Sequence, residues 1–335
     1  MSRKILVTGV AGFLGSHIAE HFLAAGDEVV GIDNLLSGAK ENVPPDVRFV
    51  VADCLDLAAY SGEFAGVDVV YHCAAAPYEG VSVFSPFLVH QHTAGASVAV
   101  LSASAKAGVR RFVFCSSMAR YGRQQPPFTE DMTPRPVDPY GVAKYSAELQ
   151  VRTICEIHDV QWVIAVPHNI IGPRQKFDDP YRNVASIMIN RILLGRPPII
   201  YGDGRQRRCF SYIADVVAPL AAIADDLGVV GEVVNVGPDE EYVSIRELAR
   251  MVSELTGYCG EPMFVPSRPR EVREANCSAD KARRLLGYRT RWSLRDGLAA
   301  MVDWIRAVGP REFAYHLPLE IVTDRTPVTW TQRLM

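Results

Sequence analysis

Six short runs dominated by Val, Ile, Leu and Phe punctuate the first half of the chain, at residues 4–8, 28–33, 48–52, 67–73, 111–115 and 161–167. Each has strand length and is apolar almost throughout, the signature of a strand buried on both faces. Between them, residues 15–25, 93–107 and 140–158 place apolar side chains at helical spacing. Strands alternating with helices predict an α/β fold, a doubly wound parallel sheet covered on both sides. After about residue 166 the texture changes: Pro167, Pro173, Pro180, Pro197 and Pro198 appear, with the loop Tyr201-Gly202-Asp203-Gly204. The pattern predicts a first lobe over 1–166 and a smaller C-terminal α/β lobe over most of 167–335. Part of about 205–250 is expected to return to the first lobe. From Arg311 onward the chain is too polar and irregular for elements to be assigned.

With 335 residues, 48% of them apolar, the chain can fill a large core. The net charge of −3, without a long Lys/Arg run, argues against a nucleic-acid or membrane partner. Seven cysteines at 54, 73, 115, 155, 209, 259 and 277 form no CxxC pair, so reduced thiols, no disulfide and no metal are expected. The apolar run after Met1-Ser2-Arg3-Lys4 is too short for a signal peptide, and no stretch reaches spanning length. A cytoplasmic protein is the expectation.

Two segments carry the chemistry. The first run leads into Gly9-x-x-Gly12-Phe13-Leu14-Gly15, followed by helical spacing. Glycines there permit a tight turn, close approach to a pyrophosphate and close helix–strand packing, with the helix N-terminus facing the anion. Asp33 ends the next strand, where a carboxylate accepts hydrogen bonds from adenosine ribose hydroxyls and repels a 2′-phosphate. NAD is therefore expected rather than NADP. Asp53 and Cys54, after the third strand, are candidates for the adenine ring, and equally for ordinary loop positions.

The second segment is Tyr140-Gly141-Val142-Ala143-Lys144, preceded by Ser116-Ser117. Tyr140 and Lys144 share one helix face. A phenol is a poor base near neutrality, but an ammonium and the positive charge of a nicotinamide both favour phenolate. Tyr140 would take the proton of a carbinol while Ser117 orients the hydroxyl.

With these segments the chain resembles the extended short-chain dehydrogenase/reductase family, specifically its nucleotide-sugar epimerases and dehydratases. The resemblance spans about 4–305 and includes Thr8–His17, Asp33-Asn34, His72-Cys73-Ala74-Ala75, Ser116-Ser117 with Tyr121-Gly122, and Tyr140-x3-Lys144. It continues through Asn169, Gly172-Pro173, Tyr201–Gly204, Arg208-x-Phe210, Asp215 and Leu286-Gly287-Tyr288. It implies a Rossmann-type lobe holding NAD, a lobe gripping a nucleotide diphosphate sugar, and a homodimer formed through a helix bundle. It assigns Ser117, Tyr140 and Lys144 as catalytic. Gly9, Gly12, Phe13, Leu14, Gly15, Asp33, Asn34, Asp53, Cys54, Ala74 and Ala75 fall along the cofactor. Asn169, Asn183, Arg208 and Arg268 match diphosphate and nucleotide contacts, a role that suits a guanidinium fork.

Departures from the family narrow the chemistry. Met118 and Ala119 stand where 4,6-dehydratases place an acidic pair, and neither side chain can move a proton. A 4-epimerase needs only the trio and NAD, so epimerisation is the leading expectation. The alternatives are a 4,6- or 5,6-type dehydratase drawing acid and base from Asp178-Asp179, His168 or Glu79, and a reductase or dehydrogenase that releases its cofactor. A redox-sensing binding protein would be expected to lose Tyr140 or Lys144. His168, Arg120, Cys209, His92 and Arg270 also depart from the family pattern. Their clustering predicts either that Met118, Arg120 and His168 face an acidic or extended sugar, or that the loops are repacked around an ordinary hexose.

Overall fold

Seven parallel strands form the main sheet of the computed structural model, which describes residues 2–335. Six of them are β1 (Lys4–Thr8), β2 (Glu28–Asp33), β3 (Arg48–Val51), β4 (Val69–His72), β5 (Arg111–Cys115) and β6 (Gln161–Pro167). The seventh is Val233–Val236, and the spatial order runs Val233–Val236, β6, β5, β4, β1, β2, β3. The chain starts mid-sheet, winds out to β3 and returns to β4. The direction of winding therefore reverses between β1 and β4, which opens a crevice beyond the C-terminal strand ends. Leu6 lies opposite both Val30 and Val70. Ile5, Leu6, Val7, Val69, Val70, Phe112 and Val113 are all buried, which is why the runs show little polar alternation.

Helix α1 (Phe13–Ala24) packs with helix Ile213–Ala222 on one face, while α2 (Ala96–Ala107) and α3 (Pro139–Ile157) cover the other. Three element starts differ from the pattern by two residues or more. Strand β4 starts at Val69, because Val67 closes a turn onto the Phe64 carbonyl and Asp68 holds Arg110 at 2.9 Å. Helix α1 starts at Phe13, directly after an extended Gly12. Helix α2 starts at Ala96, because Gln91–Gly95 form a wider helical turn continuing Pro86–His90. The start of α3 has a local cause: Pro139 occupies the first turn and the Asp138 carboxylate accepts the Gly141 N–H at 2.9 Å.

Helices Val184–Leu193, Ile245–Thr256 and Leu294–Val308 build the second core around Ile189, Leu248 and Met301. Within the 205–250 stretch, Ile213–Ala222 and Val233–Val236 belong to the first lobe, whereas Ile245–Thr256 belongs to the second. The segment after Arg311 wraps back across both lobes. Leu317, Trp330 and Met335 bury themselves against Tyr78, Tyr140 and Tyr181. The Glu320 carboxylate accepts the N–H groups of Phe87 and Leu88, at 2.9 and 2.8 Å.

Candidate active site

A cavity of about 440 Å³ opens at the crevice between the lobes. The glycine loop forms its floor at one end. Gly9 has φ +73°, and a Cβ there would come 2.8 Å from the Ala74 nitrogen. A Cβ on Gly15 would lie 2.2 Å from the Gly9 carbonyl oxygen. No side chain caps the N-terminus of α1, so its N–H groups face the cavity in a form suited to phosphate. The Asp33 carboxylate shapes the loop as well as lining the cavity, accepting the N–H groups of Ala11 at 3.0 Å and Leu35 at 2.8 Å. Asn34 donates to Asp53 at 2.8 Å, and Cys54, Ala74 and Ala75 continue the same wall. This cradle of close backbone, free helix N–H groups and a carboxylate fits a dinucleotide.

Ser117, Tyr140 and Lys144 meet on the same cavity. Strand β5 ends at Cys115, and α3 runs beside it with Tyr140, Lys144 and Glu148 on one face. Lys144 Nζ donates to the Cys115 carbonyl at 2.7 Å and lies 4.9 Å from the Phe114 ring centroid. Burial lowers its pKa from 10.5 to about 8. Burial pushes the Tyr140 phenol above its ordinary range, the Ser117 hydroxyl beside it works the other way, and Glu79 and Asp138 raise it further. The phenol thus keeps its proton in the protein alone, and a cation entering the cavity is what would release it.

Farther out, Asn169, Asn183, Arg208 and Arg268 line the other end of the cavity. The Arg208 guanidinium is held by the carbonyls of Arg207 and Val272, at 2.8 and 2.6 Å. Arg268 pairs with Glu271 at 2.8 Å and stacks over Tyr201. Both forks are therefore pre-positioned at one end of the cavity.

Three expected substrate contacts are corrected. Arg120 is 2% exposed and points away from the cavity, into an ion pair with Glu148 at 3.1 Å. A guanidinium this buried requires a carboxylate, and the Tyr140-Lys144-Glu148 face of α3 supplies one. His168 is buried too, its Nε2 bound to the Pro238 carbonyl at 2.8 Å, where it ties the end of β6 to the loop after the neighbouring strand Val233–Val236. Met118 is half-buried against the first lobe's core and does not line the cavity. With Arg120 and His168 elsewhere, the basis for an acidic sugar disappears. Arg270 lines the cavity with φ +63°, a left-handed position that accounts for the glycine usual there.

The cavity also holds residues the sequence reading assigned no role or passed over: Asp138, Tyr181, Arg182 and Met335. Asp138 was recoverable, since Asp-Pro before a helical run marks an N-cap. Met335 lies in the segment without periodicity and offered no signal. Burial, and then Glu79, raise the Asp138 carboxyl from 3.8 to about 7. The folded chain therefore prefers the protonated acid, and this contribution to stability is lost as pH rises from 3.8 through about 7. Asp138→Asn is expected to flatten the fall in Tm between about pH 4 and about pH 7. An unchanged slope would place the titrating group elsewhere.

Fold and cavity together define an α/β enzyme of the dinucleotide-dependent kind. The chain belongs to the NAD dependent epimerase/dehydratase family, whose model matches residues 5–237. It is 33% identical over 314 residues to the UDP-glucose 4-epimerase of Mycolicibacterium smegmatis, covering 90% of this chain and 98% of that one. The UDP-glucose 4-epimerase of Thermotoga maritima, solved with UDP-glucose, superposes with a TM-score of 0.87 at 31% identity, over 91% of this chain and 99% of that one. The UDP-glucuronic acid 4-epimerase of Bacillus cereus, solved with UDP-glucuronic acid and NAD, gives 0.85 at 30% identity, covering 91% and 100%. No helix among the described residues is long and apolar enough to cross a membrane.

Proposed function

We propose that the chain is an NAD-retaining nucleotide-sugar 4-epimerase, acting on a UDP-sugar through a transient 4-keto intermediate. The observation that carries this reading is the meeting of Ser117, Tyr140 and Lys144 with the glycine loop on one cavity, while Met118 and Ala119 supply no acid. NAD held in the glycine-loop cradle would supply the hydride acceptor and donor for the two half-reactions at C4. Tyr140 accepts the proton of the 4-hydroxyl and gives it back; Ser117 holds that oxygen in line. Lys144, anchored on the Cys115 carbonyl, keeps a positive charge behind the phenol below its pKa of about 8. Gly9, Gly12, Phe13, Leu14, Gly15, Asp33 and Asn34 hold the dinucleotide, with Asp33 selecting NAD over NADP. Asn169, Asn183, Arg208 and Arg268 take the diphosphate and nucleoside.

A specific observation keeps a second reading open to test. Asp138 and Glu79 place two carboxylates on the cavity that Tyr140 lines, where an acid and a base for dehydration would be needed. The Asp138 carboxylate is engaged as the cap of α3, which favours epimerisation.

Incubating the purified protein with UDP-glucose in deuterated water, without added cofactor, tests the reading by NMR. Inversion at C4 without solvent deuterium is expected; loss of water would establish dehydration instead, and deuterium beside the ketone without loss of water a proton-shuttling epimerase. Arg208→Ala is expected to raise KM by about tenfold or more while kcat stays within about threefold, since the diphosphate is bound alike in ground and transition states. A fall in kcat alone would remove Arg208 from that role. The partly exposed Val98 on α2 and Val142 and Leu149 on α3 are consistent with pairing of these helices in a homodimer. Light scattering on the eluting protein should return twice the chain mass, and a monomer would refute the pairing.

A further inference from the structure

The carboxylate of Glu79 has a setting that the trio and the arginines do not explain. It follows β4 in a stretch pinned on either side. Tyr78 is buried, donates to Asp179 at 3.1 Å and lies under the Arg182 guanidinium. Gly80 is so close to Arg268 that a Cβ would come 3.0 Å from its Nη1. Glu79 is exposed to the cavity between these anchors, and among the described residues its carboxylate takes part in no hydrogen bond or ion pair. Of the cations at that end, Arg268 is engaged by Glu271, Arg208 by carbonyls and Arg182 by Asp179 at 3.6 Å, while Arg270 lines the cavity beyond Arg268 in the chain. The Glu79 charge acts on Tyr140 and Asp138 at one side and on Arg208 and Arg268 at the other. That interval, between the proton-moving phenol and the diphosphate forks, is where a sugar ring must lie.

We propose that Glu79 reads the charge of the sugar, so that the site takes hexoses whose pendant groups are hydroxyl or ammonium and rejects those bearing a carboxylate. This inference rests on the nucleotide-sugar reading above and selects among its substrates. A hydroxyl donates a hydrogen bond to the free carboxylate, and an ammonium also neutralises it. A uronate would bring a second carboxylate beside that of Glu79 in a partly desolvated space, with the Arg208 and Arg268 forks given to the diphosphate.

The test is calorimetric titration of the NAD-loaded protein with UDP, UDP-glucose, UDP-glucuronate and UDP-glucosamine bearing a free amine. UDP-glucuronate is expected to bind at least about tenfold more weakly than UDP-glucose, and UDP-glucosamine at least as tightly as UDP-glucose. Glu79→Gln, which keeps the shape and removes the charge, should narrow the glucuronate gap to within about threefold, and Glu79→Asp should restore it. Equal or tighter binding of UDP-glucuronate, or a gap that survives Glu79→Gln, would overturn the assignment. If UDP binds and no sugar is discriminated, charge reading alone fails. If UDP itself does not bind, the nucleotide-sugar reading fails with it.

Discussion

Tyr140→Phe is expected to lower kcat by about 10³-fold while KM and the content of bound dinucleotide change little. The ring is buried and packs among Tyr181, Ile187 and the C-terminal segment, and phenylalanine preserves that packing. Only the hydroxyl is lost, and neither Lys144 nor Asp138 is free to replace it. Lys144 is tied to the Cys115 carbonyl, and the Asp138 carboxylate caps α3. A rate within about tenfold of the wild type would mean that another group moves the proton. Glu79 would then be the first candidate, and the dehydratase reading would gain.

Gly15→Ala should have an effect of similar size by a different route. A Cβ at this position would lie 2.2 Å from the oxygen and 2.7 Å from the carbon of the Gly9 carbonyl, and 3.1 Å from Val10 Cα. All three are backbone atoms, so no side-chain rotation relieves the clash, and the loop must open. The N–H cradle over α1 opens with it. The purified variant is expected to lack bound dinucleotide and to lose at least about 10²-fold in turnover, with a lowered Tm and an unchanged circular dichroism spectrum. Normal cofactor content and rate would show that the phosphates are held elsewhere.

What could be read in advance depended on how local the cause was. The strands β1 to β6 were legible because parallel strands buried on both faces leave continuous apolar runs. The glycine loop was legible because each glycine answers a short-range demand, as the Cβ clashes at Gly9 and Gly15 make plain. Tyr140 and Lys144 needed only helical spacing and the resemblance to be placed together. Arg120 and His168 were misread because their partners are remote. Glu148 lies on a different element from Arg120, and Pro238 is 70 positions beyond His168. The C-terminal segment was illegible for a related reason. It packs through isolated anchors, Leu317, Trp330 and Met335, and such spacing leaves no period to detect.

The sugar's C4–H bond tests the account most directly. UDP-glucose carrying deuterium at C4 of the glucose, incubated in ordinary water with the protein as purified, should give an epimer that retains the deuterium at C4. Retention follows if the hydride never leaves the site between oxidation and re-reduction. Loss of the label to solvent, or inversion only when NAD is added, would contradict the account.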